Sequence, residues 1–262
     1  MLRAVTFDLW ETLIHEDASL EAVRRNHRIS EIGAIAAKHG ITPTREAWEK
    51  AHREVLIKMD AYWSASLDTS VVEQAKFFIE LAAGRAVDGK LPGGALLECA
   101  KHYGEAALKY PPMAAEGAKA VLQVTHACGL RLGLICNTGR TPGKVLREIL
   151  KNFGMAELFD AVFFSDEARI RKPAKEVFTK MLQRLGADVG DAIHVGDQPA
   201  TDLAGARAAG MRCVHLRRPD SSAADADYTI SSINELPTIL GKLSDGKGSR
   251  TGRPGDETVI TG

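Results

Sequence analysis

The pattern of apolar positions divides the chain into two kinds of region. Short, continuous apolar runs occupy residues 4–7, 132–136, 161–164, 192–195, 212–216 and 228–230. Segments with apolar residues at helical spacing separate the runs from 132 to 216, near residues 144–153, 175–185 and 202–209. Continuous apolar strands that alternate with helices predict a parallel β-sheet covered on both faces.

The region between the first two apolar runs has a different pattern. Residues 19–109 contain four predicted helices and no predicted strand, with Trp48, Val55 and Phe78 among the apolar positions at helical spacing. The strand at residues 4–7 can join the sheet only if this helical region is an insertion. We therefore predict a Rossmann-like α/β core of residues 1–15 and 111–243, and an inserted α-helical cap domain of residues 16–110.

The last stretch of the chain lacks the pattern of a folded element. Residues 244–262 are rich in Gly, Asp, Lys and Arg and contain almost no large apolar residue. Such a segment cannot bury enough apolar surface to offset its loss of conformational entropy, so we expect a disordered tail.

Composition narrows the class of partner. Lys plus Arg and Asp plus Glu each number 34, so no global field attracts nucleic acid or a membrane surface. No apolar run approaches the roughly 20 residues that a membrane span needs, and the first residues lead directly into a strand, so we expect no signal peptide. The 4 cysteines are scattered without zinc spacing. We expect a cytoplasmic monomer or homodimer that binds a small, anionic molecule.

Reactive side chains follow the predicted strands. Asp8 ends the first strand, Asn137 follows the second, the third leads to Lys172, and Asp197 and Asp202 follow the fourth. Ligands of open α/β sheets bind beyond the carboxyl ends of the strands. A carboxylate nucleophile, a lysine and two further carboxylates are therefore expected at one edge of the sheet.

These four strand ends, in this order, resemble the haloacid dehalogenase-like (HAD) hydrolase superfamily with a helical cap inserted after the first motif. The resemblance extends over about residues 1–243. It implies a hydrolase that depends on Mg²⁺, with a phosphatase acting on a small phosphorylated metabolite as the favoured reaction. Asp8 would be the nucleophile that forms a covalent aspartyl intermediate, and Lys172 would neutralise Asp8 and the phosphoryl group together.

The resemblance also implies a metal site and a phosphoryl site. Asp8, Asp197 and the backbone carbonyl of Trp10 would hold Mg²⁺, and Asp202 would be a ligand or would orient a metal-bound water. Hydrogen bonds to phosphoryl oxygens would come from the residues that follow the first two strands, which are Thr12, Asn137 and Thr138.

Two positions depart from the phosphatase pattern of the superfamily. Trp10 stands where its phosphatases carry an acid–base Asp, and indole cannot transfer protons, so we expect Glu11 or a group from the cap to act in its place. Cys136 stands where the superfamily usually has Ser or Thr, and a thiol is a poor hydrogen-bond donor. Thr138 or Thr141 could supply the missing hydroxyl.

These departures keep two other functions open. The dehalogenases of the superfamily lack the acid–base Asp and often place an aromatic residue there, so Trp10 is compatible with a metal-independent 2-haloacid dehalogenase. The paired acids Asp197 and Asp202 favour the metal-dependent reaction over that one. The third possibility is a ligand-binding or regulatory protein in which Trp10 and Cys136 have weakened the chemistry.

Several other polar residues receive structural interpretations. Arg24, Arg25 and Arg28 are expected on a solvated helix face, and Arg140 is expected in solvent. His194 lies within an apolar strand, so it is expected to be a hydrogen-bonded core histidine.

Overall fold

The structure is a computed structural model that describes residues 1–218 and 224–244. In chain order its strands are β1 (Ala4–Phe7), β2 (Ile14–His15), β3 (Met113–Ala114), β4 (Arg131–Cys136), β5 (Ala161–Phe164), β6 (Ala192–Gly196), β7 (Arg212–Leu216) and β8 (Tyr228–Ile230). Six of them form a parallel sheet in the order β5-β4-β1-β6-β7-β8, and β2 pairs with β3 in an antiparallel ribbon. The predicted α/β fold is confirmed.

Helices connect these strands and cover both faces of the sheet. In chain order they are α1 (Ala18–Ala37), α2 (Arg45–Ser64), α3 (Val71–Ala83), α4 (Gly93–Lys109), α5 (Ala118–Ala127), α6 (Gly143–Asn152), α7 (Ser165–Ala168), α8 (Lys175–Leu185), α9 (Ala204–Ala208) and α10 (Leu236–Ser244). Short 3₁₀ turns precede β5, β6 and α10.

Alternation along the central strands sends side chains to two separate apolar cores. Val5 and Phe7 of β1 lie in one core, with α5, α6 and α10, whereas Ala4 lies in the other, with α8 and α9. Successive residues of a strand point to opposite faces, so a strand that is buried on both faces is apolar throughout. Two polar exceptions, Thr6 and His194, are fully buried and bond to each other at 2.9 Å. His194 is therefore the hydrogen-bonded core histidine that its apolar surroundings predict.

The helices α1 to α4 form a core of their own. Trp48, Phe78 and Tyr103 pack together there, and the ring centroids of Trp48 and Phe78 lie 4.9 Å apart. The ribbon of β2 and β3 joins the two ends of this helical segment, pairing Ile14 with Ala114. The boundaries of the predicted core and cap domains stay a prediction, although the separate apolar core is what such an insertion needs to fold.

A buried carboxylate attaches the helical segment to the sheet. Asp68, which lies between α2 and α3, accepts hydrogen bonds from Ser165 Oγ at 2.5 Å and from Trp63 Nε1 at 3.2 Å. The Arg171 guanidinium lies 4.2 Å from the Trp63 ring centroid and 3.6 Å from the Asp68 carboxylate. The Asp68 side chain has 0% exposure, so this contact fixes the helical segment beside the end of β5.

Two expectations concern the later part of the chain. The helix predicted near residues 202–209 is divided into a π-helix, Pro199–Leu203, and α9. Ser244 ends α10, and the rest of the predicted tail, residues 245–262, lies outside the described residues. Across the described parts of the chain, no helix has the length and apolar character to cross a membrane.

Candidate active site

The register of the sheet places Asp8 between two neighbouring strand ends. Phe7 is paired with Leu134 of β4 on one side and with Val195 of β6 on the other. The Asp8 amide continues this ladder by donating to the Val195 carbonyl at 2.9 Å. Asp8 therefore leaves the sheet at its centre, where parallel strands leave a crevice for ligands.

A tight loop follows Asp8 and returns a hydroxyl to it. The amides of Leu13 and Ile14 both donate to the Leu9 carbonyl, at 2.9 and 3.1 Å, and Glu11 adopts a left-handed conformation with φ of 59°. The loop brings the buried Thr12 hydroxyl to the nucleophile candidate, where Thr12 Oγ1 donates to Asp8 Oδ2 at 3.2 Å.

Lys172 connects two of the predicted carboxylates. Its Nζ donates to Asp8 Oδ1 at 2.5 Å, to Asp202 Oδ1 at 2.6 Å and to the Ile135 carbonyl at 3.0 Å. The three donors of the ammonium are thus used by three oxygens, and the side chain is only 2% exposed. A cation held in this way keeps two carboxylates close together without bulk water.

Burial and charge shift the pKa values of this group in different directions. Burial alone would lower the pKa of Lys172, but the carboxylates of Asp202 and Asp8 outweigh it and raise that pKa. Burial raises the pKa of Asp8 to about 6, against the opposing effect of Lys172. Burial also acts to raise the pKa of Asp202, but Lys172 and His194 hold it below its usual value. Asp202 is therefore the ionised partner of Lys172.

Asp202 is held by donors from three elements. Besides Lys172, its Oδ1 lies 3.2 Å from His194 Nε2, and its Oδ2 accepts from the Gln198 amide at 3.0 Å. The Asp202 side chain also fills the space over Gly196, where an added Cβ would come within 2.4 Å of the carboxyl carbon. Gly196 is needed at the end of β6 because any side chain there would displace Asp202.

Asp197 completes a cluster that could hold a metal ion. One carboxylate oxygen from each of Asp8, Asp197 and Asp202 lies within 4.8 Å of the others. Asp197 Oδ2 is buried and has no hydrogen-bond partner, and burial together with Asp8 and Asp202 raises the pKa of Asp197 to about 7. A buried oxygen without a donor, beside two further carboxylates, is suited to a hard divalent cation such as Mg²⁺.

The residues after β4 have partners other than a phosphoryl group. Asn137 Nδ2 donates to the Lys172 carbonyl at 3.1 Å, and its Oδ1 accepts from the Lys172 amide at 3.0 Å, so Asn137 positions the lysine. The Thr138 amide donates to Ser165 Oγ at 2.9 Å, and Thr138 Oγ1 lies 3.3 Å from the same oxygen. Cys136 is fully buried, and burial raises the pKa of its thiol well above the usual value.

Trp10 and Glu11 belong to the loop that follows Asp8. Trp10 is half-buried against the apolar core of the sheet and its backbone forms a β-bridge with Ile14. The Glu11 carboxylate forms an ion pair with Arg218 Nη1 at 3.0 Å. The predicted replacement acid, Glu11, thus has the Arg218 guanidinium as its partner.

Several residues that contribute to the site have no predicted role. Ser165 links Asp68 to Thr138, and it directly follows β5, so the rule of strand ends applies to it as well. The expectation for the arginines was wrong for three of the four. Arg24 and Arg28 are each 2% exposed, and the Arg140 side chain is 12% exposed, whereas Arg25 is half-buried. Their surroundings include backbone carbonyls of α4 and α2 rather than solvent.

Comparison with known proteins adds independent findings. The model of a family described as "Hydrolase: haloacid dehalogenase-like hydrolase" matches residues 2–210. N-acylneuraminate-9-phosphatase from Homo sapiens is 28% identical over 253 residues, which cover 91% of this chain and 94% of that protein. Haloacid dehalogenase-like hydrolase domain-containing protein 3 from Danio rerio is 31% identical over 123 residues, which cover 45% of this chain and 49% of that protein.

Solved structures share the fold along most of the chain. The crystal structure of a HAD phosphatase from Thermococcus onnurineus has a TM-score of 0.65 at 26% identity, covering 95% of this chain and 100% of that one. A 2-haloacid dehalogenase from Pseudomonas syringae pv. Tomato has a TM-score of 0.68 at 24% identity, covering 93% and 100%. The second similarity concerns the fold alone.

Proposed function

Because this chain belongs to the haloacid dehalogenase-like hydrolases, we propose that it is a Mg²⁺-dependent phosphatase for a small phosphorylated metabolite, with Asp8 as nucleophile. The observation that carries the proposal is the buried group of Asp8, Lys172, Asp202 and Asp197, in which one Asp197 oxygen has no donor. The phosphatase activity named for the relative that matches almost the whole chain supports the same reaction.

The chemistry proposed for Asp8 is a displacement at phosphorus. A carboxylate oxygen of Asp8 attacks the phosphorus, the bond from phosphorus to the ester oxygen breaks, and the alcohol leaves with that electron pair and takes up a proton. Water then hydrolyses the aspartyl phosphate, which releases inorganic phosphate and restores the carboxylate. Lys172 keeps Asp8 ionised and opposes the charge of the phosphoryl oxygens.

The remaining residues receive positioning roles in this proposal. Asp8 and Asp197 would hold Mg²⁺, which would supply charge neutralisation for the phosphoryl group. Asp202 already accepts from Lys172, His194 and Gln198, so we assign it to holding Lys172 and the loop after β6 rather than to direct ligation. Thr12 holds Asp8 in place by donating a hydrogen bond to Oδ2, whereas Lys172 donates to Oδ1.

The reaction is tested by measuring phosphate and halide release side by side. The purified protein is incubated with a panel of phosphate esters and with 2-haloacids, each in Mg²⁺ and in EDTA. We expect phosphate release that needs Mg²⁺ and no halide release. Halide release that persists in EDTA would instead identify the second candidate, a metal-independent dehalogenase, which Trp10 alone favours.

The proposed metal site gives a prediction for Asp197. Replacing a charged ligand by Asn is expected to raise the Mg²⁺ concentration for half-maximal activity by about 10–100-fold, the cost typical of a perturbed metal site. A Mg²⁺ titration of the initial rate measures the shift. The matched control is Asp191→Asn, because Asp191 directly precedes β6 whereas Asp197 directly follows it. Equal Mg²⁺ requirements in the two variants would remove Asp197 from the metal site.

A further inference from the structure

A group of arginines lies buried where the helical segment meets the sheet. Arg24 and Arg28 are one turn apart on α1, and Arg140 lies on the loop that follows β4. Arg140 Nη1 donates to Glu21 Oε1 at 3.0 Å, and its Nη2 donates to the His52 carbonyl at 2.6 Å. The arginine of the sheet domain thereby reaches both α1 and α2, and we call Arg28, Arg140 and His52 the arginine cluster.

The carboxylates nearby do not balance these charges. Glu16 pairs with Arg24, and Glu21 pairs with Arg140. Arg28 donates from Nε to the Tyr103 carbonyl at 2.9 Å, but no carboxylate among the described residues lies within ion-pair distance of it. Among the buried arginines that the structure describes, Arg28 is thus the one without an ion-pair partner, and the half-buried Arg25 of the same helix also has a buried Nε without a hydrogen-bond partner.

Three side-chain nitrogen atoms of the cluster are also without hydrogen-bond partners. Arg28 Nη1, Arg140 Nε and His52 Nε2 are buried and unpartnered, and they come from α1, the loop after β4 and α2. The Glu21 carboxylate lies 3.7 Å from His52 Nε2, too far for a hydrogen bond. Burial, with the charges of Arg140 and Arg28, lowers the pKa of His52 to about 2, so its ring is neutral. A buried guanidinium without a counter-ion costs free energy, and an anionic ligand would offset that cost.

The arginine cluster and the proposed catalytic group share one loop. Asn137 holds the backbone of Lys172, and Arg140 lies on the same loop after β4. Gln74 of the helical segment donates to the Gly139 carbonyl at 3.0 Å, which fixes this loop against α3. A substrate that reaches both groups would have its phosphoryl group at Asp8 and its other end beside Arg140 and Arg28, on the side of the loop that faces the helical segment.

We propose that the arginine cluster binds a carboxylate of the substrate, so that the substrates are phosphate esters of carboxylic acids. This inference rests on the proposed phosphatase function. Arg28 has no ion-pair partner, and a carboxylate, with one negative charge, offsets its charge without bringing in the second charge of a phosphate. Guanidinium donors also match the planar, two-oxygen geometry of a carboxylate.

Matched pairs of esters that differ in a carboxylate test the proposal. The pairs are 3-phosphoglycerate with glycerol 3-phosphate, and 6-phosphogluconate with sorbitol 6-phosphate. We expect the wild-type kcat/KM to favour the acid of at least one pair by about 10-fold or more, since hydrogen bonds to charged groups are worth that much. In Arg28→Met the preference should be lost, chiefly through a higher KM for the acid, with the alcohol ester changed less than about 3-fold.

The controls separate binding from folding. Arg28→Lys keeps the charge and should recover part of the acid preference, and Arg53→Met changes an exposed arginine on α2 and should leave both esters unaffected. Arg28→Met removes a buried charge that has no ion-pair partner, which offsets the loss of the hydrogen bond to the Tyr103 carbonyl, so the midpoint of thermal unfolding should change little. A lower midpoint with equal losses on both esters would show a structural role and overturn the proposal.

The failure of this inference differs from the failure of the proposed function. If alcohol esters release phosphate and the wild type shows no acid preference in either pair, the carboxylate site is wrong and the phosphatase remains. If no ester of either kind releases phosphate, the proposed function fails, and the assignment of the arginine cluster to its substrate fails with it.

Discussion

Replacing Asp8 by Asn is expected to lower the rate of phosphate release by at least about 10³-fold, the scale of loss when a nucleophile is removed. The amide has the shape of the carboxylate but neither its charge nor its nucleophilic oxygen pair. Lys172 keeps Asp202 as its partner at 2.6 Å, so the variant should retain the ammonium in place. Phosphate release at saturating Mg²⁺ measures the effect.

The stability of this variant provides an independent check. Burial raises the pKa of Asp8 to about 6, so above that pH Asp8 is ionised in an environment that favours the charged form less than water does in the unfolded chain. A raised carboxyl pKa therefore subtracts stability at neutral pH, and a neutral amide removes that penalty. In EDTA, the thermal midpoint of Asp8→Asn should equal or exceed that of the wild type.

The matched control for Asp8→Asn is Asp191→Asn. Asp191→Asn changes a carboxylate that precedes β6, and should leave the rate unchanged. If Asp8→Asn and the wild type behave alike while both bind Mg²⁺, the chain is the ligand-binding protein that Trp10 and Cys136 leave open, and not an enzyme that uses Asp8.

The centre of the site could be predicted because sheet topology determines it. Asp8 and Asp197 follow strands that are neighbours in a parallel sheet, so any pairing of β1 with β6 brings them together. Lys172 follows β5, which β4 separates from β1 in the sheet, and its long side chain crosses β4 to reach Asp8. The alternation of apolar runs and helices reveals that the strands are parallel, and parallel strands bring their carboxyl ends to one edge of the sheet; the order of the strands comes from the structure.

The choice of partners could not be predicted in the same way. Asn137 bonds to the backbone of Lys172, and Glu11 pairs with Arg218. Several donors and acceptors lie near every strand end, and differences below 1 Å in loop packing decide which of them meet. A turn residue such as Asn137 therefore gives no sign of the partner that it will have.

The arginines of α1 show a signal that could have been used. Arg24 and Arg28 continue the stripe of buried positions that includes Ile32 and Ile35. A charged residue on the apolar stripe of a helix is directed at the protein interior, so its burial follows from spacing alone. The charge of Arg24 and Arg28 suggested a solvated helix face, whereas their position on the apolar stripe predicts the burial that the structure shows.

Trp10→Asp is expected to raise the rate of phosphate release from alkyl esters by about 10²-fold or more, because general acid catalysis is typically worth about 10²–10⁴-fold. An alkoxide is a poor leaving group without a proton donor, and Trp10 has no acidic proton. The new carboxyl group would occupy the position, two residues after Asp8, where phosphatases of the superfamily carry their acid–base Asp.

The choice of substrate shows whether the gain comes from proton transfer. p-Nitrophenolate leaves without a proton, so p-nitrophenyl phosphate should respond much less to Trp10→Asp than glycerol 3-phosphate does. Trp10→Asn is the matched control, because it removes the same packing against the apolar core and supplies no acid. Both variants should lose about 1–3 kcal/mol of stability, measured by urea unfolding.

The comparison of the two variants determines what Trp10 does in this chain. If Trp10→Asp exceeds Trp10→Asn only on the alkyl ester, the missing proton donor limits the wild-type enzyme, and Asp8 and its partners are otherwise competent. If the two variants gain equally on both esters, the indole was obstructing the site rather than withholding a proton. If neither gains, protonation of the leaving group already has a source in the wild type, and the ion pair of Glu11 with Arg218 becomes the first contact to disrupt.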